Sequence, residues 1–146
     1  MCPDRRPPDA RTPELPGGAL HRRKAALPRQ ASELRTELRA WARGLGLTEQ
    51  ICHAIVLATY EAVANVVRHA YPEGTTGMVE LHASPLRERV AVTVRDHGRW
   101  RAPPAGPEVR SGLGLPLIRA LSDRAEFRSA EAGTTVTLIW EVAAPQ

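Results

Sequence analysis

The sequence predicts an α/β fold, a two-layer sandwich with helices on one face of a mostly antiparallel mixed sheet. Three features of the chain support this prediction. Helical and strand-like segments follow one another in the order β-α-α-β-β-loop-α-β-β. Residues 89–95 alternate strictly in hydrophobicity, as in a strand with one buried face. The segment after Thr48 is apolar nearly all round, which is typical of a helix buried in a core.

The chain divides into a tail and one domain. Residues 1–18 contain five of the 13 prolines and end in two glycines, so we expect them to be disordered. Residues 19–142 are predicted to form a single domain, because 146 residues are enough to bury one core. Residues 143–146 are expected to be a short tail.

The first half of the domain is predicted to hold one strand and two helices. Residues 19–27 are a strand candidate. In residues 31–43, apolar residues recur along one helical face, and Gly44 is expected to end this helix. Thr48 is a good N-cap for the second helix, which should end at Ala70, before the Pro-Glu-Gly that follows.

The second half is predicted to hold four strands and one helix. A turn is expected at residues 84–86 and a proline-rich loop at 96–111. Gly112 precedes the helix, and an Ala-Gly pair marks the last turn. The predicted ranges are strands 78–83 and 89–95, helix 113–121, and strands 125–129 and 134–142.

The composition excludes several kinds of nucleotide site. The 20 basic residues outnumber 16 acidic ones, but Lys24 is the only lysine among them. It follows two arginines with no glycine before it, so the chain has no P-loop. The Val-Ala-Ile-Lys setting of a protein-kinase lysine is also absent. A nucleotide would have to be held without a lysine.

Charge, cysteines and hydropathy favour a cytoplasmic protein that binds neither nucleic acid nor membrane. The isoelectric point near 9.8 raises nucleic acid as a partner. The arginines are scattered and not interleaved with aromatic residues, which favours a solvated basic surface. No run approaches 18 consecutive apolar residues, and Cys2 and Cys52 do not form a disulfide framework.

Glu61, Asn65 and His69 are spaced to lie along one stripe of the second helix. One interpretation is structural, with a buried Glu–Asn hydrogen bond or a partly exposed stripe. The other is a cation site, because an asparagine oxygen suits Mg²⁺ and a glutamate one turn away can act as general base. The spacing alone leaves both open.

Three further motifs follow in the second half of the chain. Asp96, two residues before Gly98, is either a simple turn or an acceptor for an exocyclic amine such as that of adenine, with the glycine allowing a flat ring to approach. Gly112-Leu113-Gly114 opens a helix, where backbone N–H groups can hold an anion or the segment is merely a joint. Gly133-Thr134-Thr135 offers hydroxyls to a phosphate or a bound water.

Together these motifs, with the Tyr71 that ends the helix motif, resemble the ATP-binding boxes of the gyrase, histidine-kinase and mismatch-repair ATPase superfamily. The short chain and the His-Ala-Tyr ending of the helix look most like the bacterial anti-sigma-factor serine kinases. The resemblance covers residues 19–142 and implies a histidine-kinase-like ATPase fold that uses ATP and Mg²⁺.

The resemblance also implies roles for individual residues. Glu61 would be the general base and Asn65 the Mg²⁺ ligand. Asp96 would accept the adenine amine, with Gly98 beneath the base. The phosphates would meet Arg110, Gly112, Leu113 and Gly114, whereas Thr135 or its neighbour Thr134 would lie near the adenine through a water. Residues 99–111 would form the ATP lid.

The implied function is phosphorylation of a serine or threonine on a small antagonist protein, combined with sequestration of a sigma factor. The partners would be that sigma factor and the anti-anti-sigma antagonist, and the resemblance suggests a homodimer. The alternative is a non-catalytic, ATP-responsive binding module, which the short, proline-containing lid favours.

Overall fold

The computed structural model describes residues 18–98 and 115–142, which form five strands, three α-helices and one π-helical turn. Both predicted tails, apart from Gly18, and residues 99–114 lie outside the described residues. The elements are β1 Leu20–Ala25, α1 Pro28–Gly44, α2 Glu49–Asn65, the π turn Val66–Ala70, β2 Met78–Leu86, β3 Arg89–Asp96, α3 Leu115–Leu121, β4 Arg124–Ala130 and β5 Gly133–Glu141.

The strands form one sheet in the order β1-β2-β3-β5-β4, and every neighbouring pair is antiparallel. Helix α2 contacts α1, α3, β3 and β5, and so forms the centre of the helical layer. The predicted two-layer α/β architecture is confirmed.

Alternating residues of the three central strands are buried against the helices, as the period of two in their sequences predicts. The buried residues of this layer are Val79, Leu81, Ala83, Val90, Val92, Val94, Val136, Leu138 and Trp140. Helix α1 buries one face through Ala31, Leu34, Leu38 and Ala42. Thr48 caps α2 as predicted, since its side chain accepts a hydrogen bond from the Ile51 N–H at 3.2 Å.

The turn predicted at residues 84–86 is wrong, because β2 continues to Leu86 and the chain reverses at Arg87 and Glu88. Pro85 pairs with Val90 of β3, whereas on the other side β1 begins opposite Ala83. A proline without an N–H is tolerated there, since no strand of residues 18–98 and 115–142 lies on that side to accept a hydrogen bond.

The long helix predicted to Ala70 is α-helical only to Asn65, and its last five residues form the π turn. Single π turns are rare and occur often at functional sites. By length and composition alone, Glu49–Ala70 is apolar enough to cross a membrane, because an 18-residue stretch within it has a mean hydropathy of 1.3. However, 56% of this stretch is buried inside the protein, as in the central helix of a core.

Candidate functional site

Asp96, the last residue of β3, is a carboxylate that is only 1% exposed. Its Oδ1 accepts two backbone hydrogen bonds, from the Gly98 N–H at 3.0 Å and from the Thr134 N–H at 3.2 Å. The side chain therefore joins the end of β3 to the start of β5. Burying a carboxylate costs several kcal/mol unless such partners compensate for the lost water.

Two glycines allow backbone segments to pack closely around Asp96. Gly133 has φ 141°, and a Cβ there would overlap the carbonyl oxygen of Asp96. A Cβ on Gly98 would overlap the carbonyl oxygen of Ala70 at the end of the π turn. The end of the helix, the end of β3 and the start of β5 thus meet at one corner of the domain, here called the Asp96 corner.

Tyr71 follows the π turn and lies at the centre of the Asp96 corner. Its hydroxyl donates to the Met78 carbonyl oxygen at 2.6 Å and accepts from the His97 N–H at 3.0 Å. Its ring occupies the space that a Cβ would need on Gly77 and on Gly98. The flat ring that Gly98 admits in the structure is therefore that of Tyr71.

Asn65 is the last residue of α2 and is fully buried, whereas Glu61, one turn earlier on the same helix face, is half-buried. His69 lies within the π turn, so it is displaced around the helix axis from the position that an uninterrupted α-helix would give it. Of the predicted stripe, Glu61 and Asn65 keep α-helical spacing.

The two threonines that the sequence left as alternatives lie on opposite faces of β5. Thr134 is 4% exposed and lies on the helix-facing side, and its hydroxyl is 3.4 Å from that of Ser129. Thr135 is half-buried on the other face, in register with Arg95 and Arg128. Only Thr134 shares the Asp96 corner.

Part of the predicted site falls in a segment that the structure does not describe. Arg110, Gly112, Leu113, Gly114 and the lid at 99–111 lie outside the described residues. Sequence reasoning identified Tyr71 as part of a motif but assigned it no role. Its contacts with Gly77 and Gly98 depend on strands that lie apart in the sequence, and the two glycines were the only available signal.

The chain matches a known protein family. Residues 25–140 match the family described as the histidine kinase-like ATPase domain. The chain belongs to this family. The predicted family and fold are therefore both confirmed, and the domain is an ATP-binding, kinase-like one.

Individual relatives agree with this assignment. The chain is 30% identical over 131 residues to the anti-sigma F factor of Anoxybacillus flavithermus, covering 82% of this chain and 90% of that protein. It is 28% identical over 127 residues to the serine-protein kinase RsbW of Bacillus subtilis, covering 77% and 79%.

A solved structure is also similar to this chain. It contains the RsbU and RsbW domains of Rv1364c from Mycobacterium tuberculosis, with a TM-score of 0.69 and 27% identity. The match covers 87% of this chain and 33% of that longer one.

Proposed function

We propose that the protein is a cytoplasmic, ATP-dependent protein serine/threonine kinase that phosphorylates a small antagonist protein and sequesters a sigma factor. The names of its relatives support this, because one is an anti-sigma factor and another is a serine-protein kinase. The partners are then a sigma factor and its anti-anti-sigma antagonist. The homodimer implied by the family resemblance stays a prediction, which light scattering of the purified protein tests.

One observation carries the nucleotide assignment, namely the burial of the Asp96 carboxylate at a corner where three elements meet. Two backbone N–H groups fix its Oδ1, so its orientation is set before any ligand arrives. A fixed carboxylate accepts a hydrogen bond from the adenine amine and repels the carbonyl oxygen that guanine presents at that position. Thr134, at the same corner, is the threonine assigned to the adenine side.

The donor chemistry of Asn65 fits Mg²⁺, which prefers hard oxygen ligands and keeps several waters beside one or two protein oxygens. Its carboxamide is fully buried at the end of a helix, where its position is well defined. The ion, when bound with ATP, neutralises phosphate charge. Arg110 and the backbone of Gly112, Leu113 and Gly114 are proposed to hold the phosphates.

Glu61 is assigned the proton transfer. It is half-buried, so it can be reached by a hydroxyl on a protein substrate. The substrate serine oxygen forms a bond to the γ-phosphorus, the bond to the β–γ bridging oxygen breaks, and ADP leaves. Glu61 accepts the proton of the serine hydroxyl as the new bond forms.

The test is incubation of the purified protein with γ-labelled ATP, Mg²⁺ and its cognate antagonist. Label should move to a serine or threonine of the antagonist, and Glu61→Ala should stop this while ATP still binds. If Glu61→Ala abolishes ATP binding as well, the role as base is wrong. Tight ATP binding by the wild type without transfer would instead support the non-catalytic, ATP-responsive module.

A further inference from the structure

A single oxygen atom links two strands at the Asp96 corner. The Tyr71 hydroxyl bonds to the carbonyl of Met78, the first residue of β2, and to the N–H of His97, the first residue after β3. Both bonds lie within the 2.5–3.2 Å range of strong protein hydrogen bonds. The hydroxyl thus holds the exit of β3 against the entry of β2.

The ring of Tyr71 has little freedom to move. A Cβ on Gly77 or on Gly98 would overlap its ring atoms, so the ring lies against both glycines. Gly98 also contacts the Ala70 carbonyl, directly before Tyr71. The position of the hydroxyl is therefore set by the packing of its own ring and not by the hydrogen bonds alone.

The hydrogen bond between the Tyr71 hydroxyl and the His97 N–H also affects the position of Asp96, the carboxylate assigned to adenine. Asp96 precedes His97, and its Oδ1 is bonded to the N–H of Gly98, which follows His97. A shift of the His97 backbone therefore changes both the Cα position of Asp96 and the hydrogen bond that its Oδ1 accepts from Gly98.

We infer that Tyr71 is a positioning residue for base specificity: its hydroxyl holds the Asp96–Gly98 segment so that the carboxylate meets an adenine amine and rejects guanine. This rests on the proposed function, since it takes Asp96 as the adenine acceptor. Tyr71 itself does not touch the nucleotide in this account, and it acts through the backbone of His97.

Tyr71→Phe isolates the hydroxyl, because it keeps the ring between the two glycines and removes both hydrogen bonds. Tyr60→Phe is the matched control. Tyr60 is half-buried on α2, its ring lies 4.8 Å from the Arg35 guanidinium carbon, and its hydroxyl has no hydrogen bond within residues 18–98 and 115–142. ATP and GTP affinities of both variants and of the wild type are measured by calorimetry with Mg²⁺.

In Tyr71→Phe we expect ATP affinity to fall about fivefold to tenfold with GTP affinity unchanged, so that the preference for ATP falls by the same factor. Hydrogen exchange at the His97 amide should become faster. Tyr60→Phe should change neither. The inference is overturned if ATP and GTP weaken equally in Tyr71→Phe, which is a general structural effect, or if the wild-type preference and His97 protection persist.

The wild type separates this inference from the proposed function. If the wild type does not prefer ATP to GTP, or if Asp96→Asn keeps the preference, the assignment of Asp96 is wrong and the inference fails with it. If the wild type prefers ATP and Asp96→Asn removes the preference, while Tyr71→Phe does not reduce it, only the role of Tyr71 is refuted.

Discussion

Two aspartates bind the two ends of strand β5 in the same way. Asp96 accepts the Thr134 N–H near the start of the strand at 3.2 Å, and Asp123 accepts the Glu141 N–H at its end at 2.7 Å. They differ in burial, since Asp123 is exposed and Asp96 is 1% exposed. An exposed carboxylate is thus sufficient to hold a strand end. We therefore propose that the burial of Asp96 serves ligand recognition.

The largest difference between the two aspartates is expected in ATP affinity. Asp96→Asn replaces one acceptor oxygen by an N–H₂ group that faces the adenine amine, so affinity should fall about 30-fold or more, the equivalent of about 2 kcal/mol. Asp123→Asn, at the opposite end of the same strand, should leave the affinity unchanged. Calorimetric titration checks both, and equal losses would remove the functional distinction between them.

The same pair should behave in the opposite way in unfolding. Asp123→Asn weakens a charge-assisted bond at the surface and should lower the free energy of unfolding by about 0.5–1 kcal/mol. Asp96→Asn keeps an acceptor oxygen for Thr134 and Gly98 without a buried charge, so its stability should equal or exceed that of the wild type. Urea denaturation measures both. A loss of about 3 kcal/mol in Asp96→Asn would mean that its carboxylate is structural.

The two faces of β5 give a finer test of the Asp96 corner. Thr134→Val changes a side chain on the buried face beside Asp96, and ATP affinity should fall about threefold to fivefold. Thr135→Val makes the same change on the opposite face and should have no effect on affinity. The same calorimetric titration applies, and a larger effect at Thr135 would place the nucleotide on the other side of the sheet.

The smallest effect is expected for carboxylates that, like Asp123, contribute to the free energy of unfolding and have no proposed role in ATP binding. Lys24 of β1 forms ion pairs with Glu33 and Glu37 of α1 at 3.1 and 3.4 Å. These carboxylates raise the pKa of Lys24 above its ordinary value of 10.5. Lys24→Met should lower the free energy of unfolding by about 0.5 kcal/mol at pH 7 and leave ATP affinity unchanged.

The pH dependence of this effect has a definite sign. The folded state holds the Lys24 proton more tightly than the unfolded state, so the stabilisation is fully present below pH 10.5. It is lost as the pH rises through the raised pKa of the folded protein. Denaturation of the wild type and Lys24→Met should therefore differ by a constant amount between about pH 7 and about pH 10, where both glutamates are ionised, and converge above this range. A difference that grows with pH would contradict this pairing.

Much of the fold could be predicted because it depends on local patterns. The alternation in β3, the cap at Thr48 and the apolar stripe of α1 each identify an element without knowledge of its neighbours. The pattern of β5 also contained the distinction between the threonines, because Val136, Leu138 and Trp140 are spaced by two from Thr134 and not from Thr135. That spacing indicates the buried face directly.

The features that the sequence did not predict depend on contacts between segments that lie far apart in the chain. The turn after β2 was misplaced because Pro85 is acceptable only where β1 has already ended, which no local pattern shows. The π turn and the bridge from Tyr71 to Met78 and His97 depend likewise on how three elements meet. Motif spacing predicted candidate site residues but not the geometry that orients them.

The central claim is that the protein binds ATP together with Mg²⁺ and that Asn65 is the Mg²⁺ ligand. It is tested most directly by titrating ATP into the wild type and Asn65→Ala, each with Mg²⁺ and with a chelator. We expect Mg²⁺-dependent binding in the wild type that is lost in Asn65→Ala, with circular dichroism showing that the variant is still folded. Equal affinity in all four titrations, or no binding by a folded wild type, would contradict it.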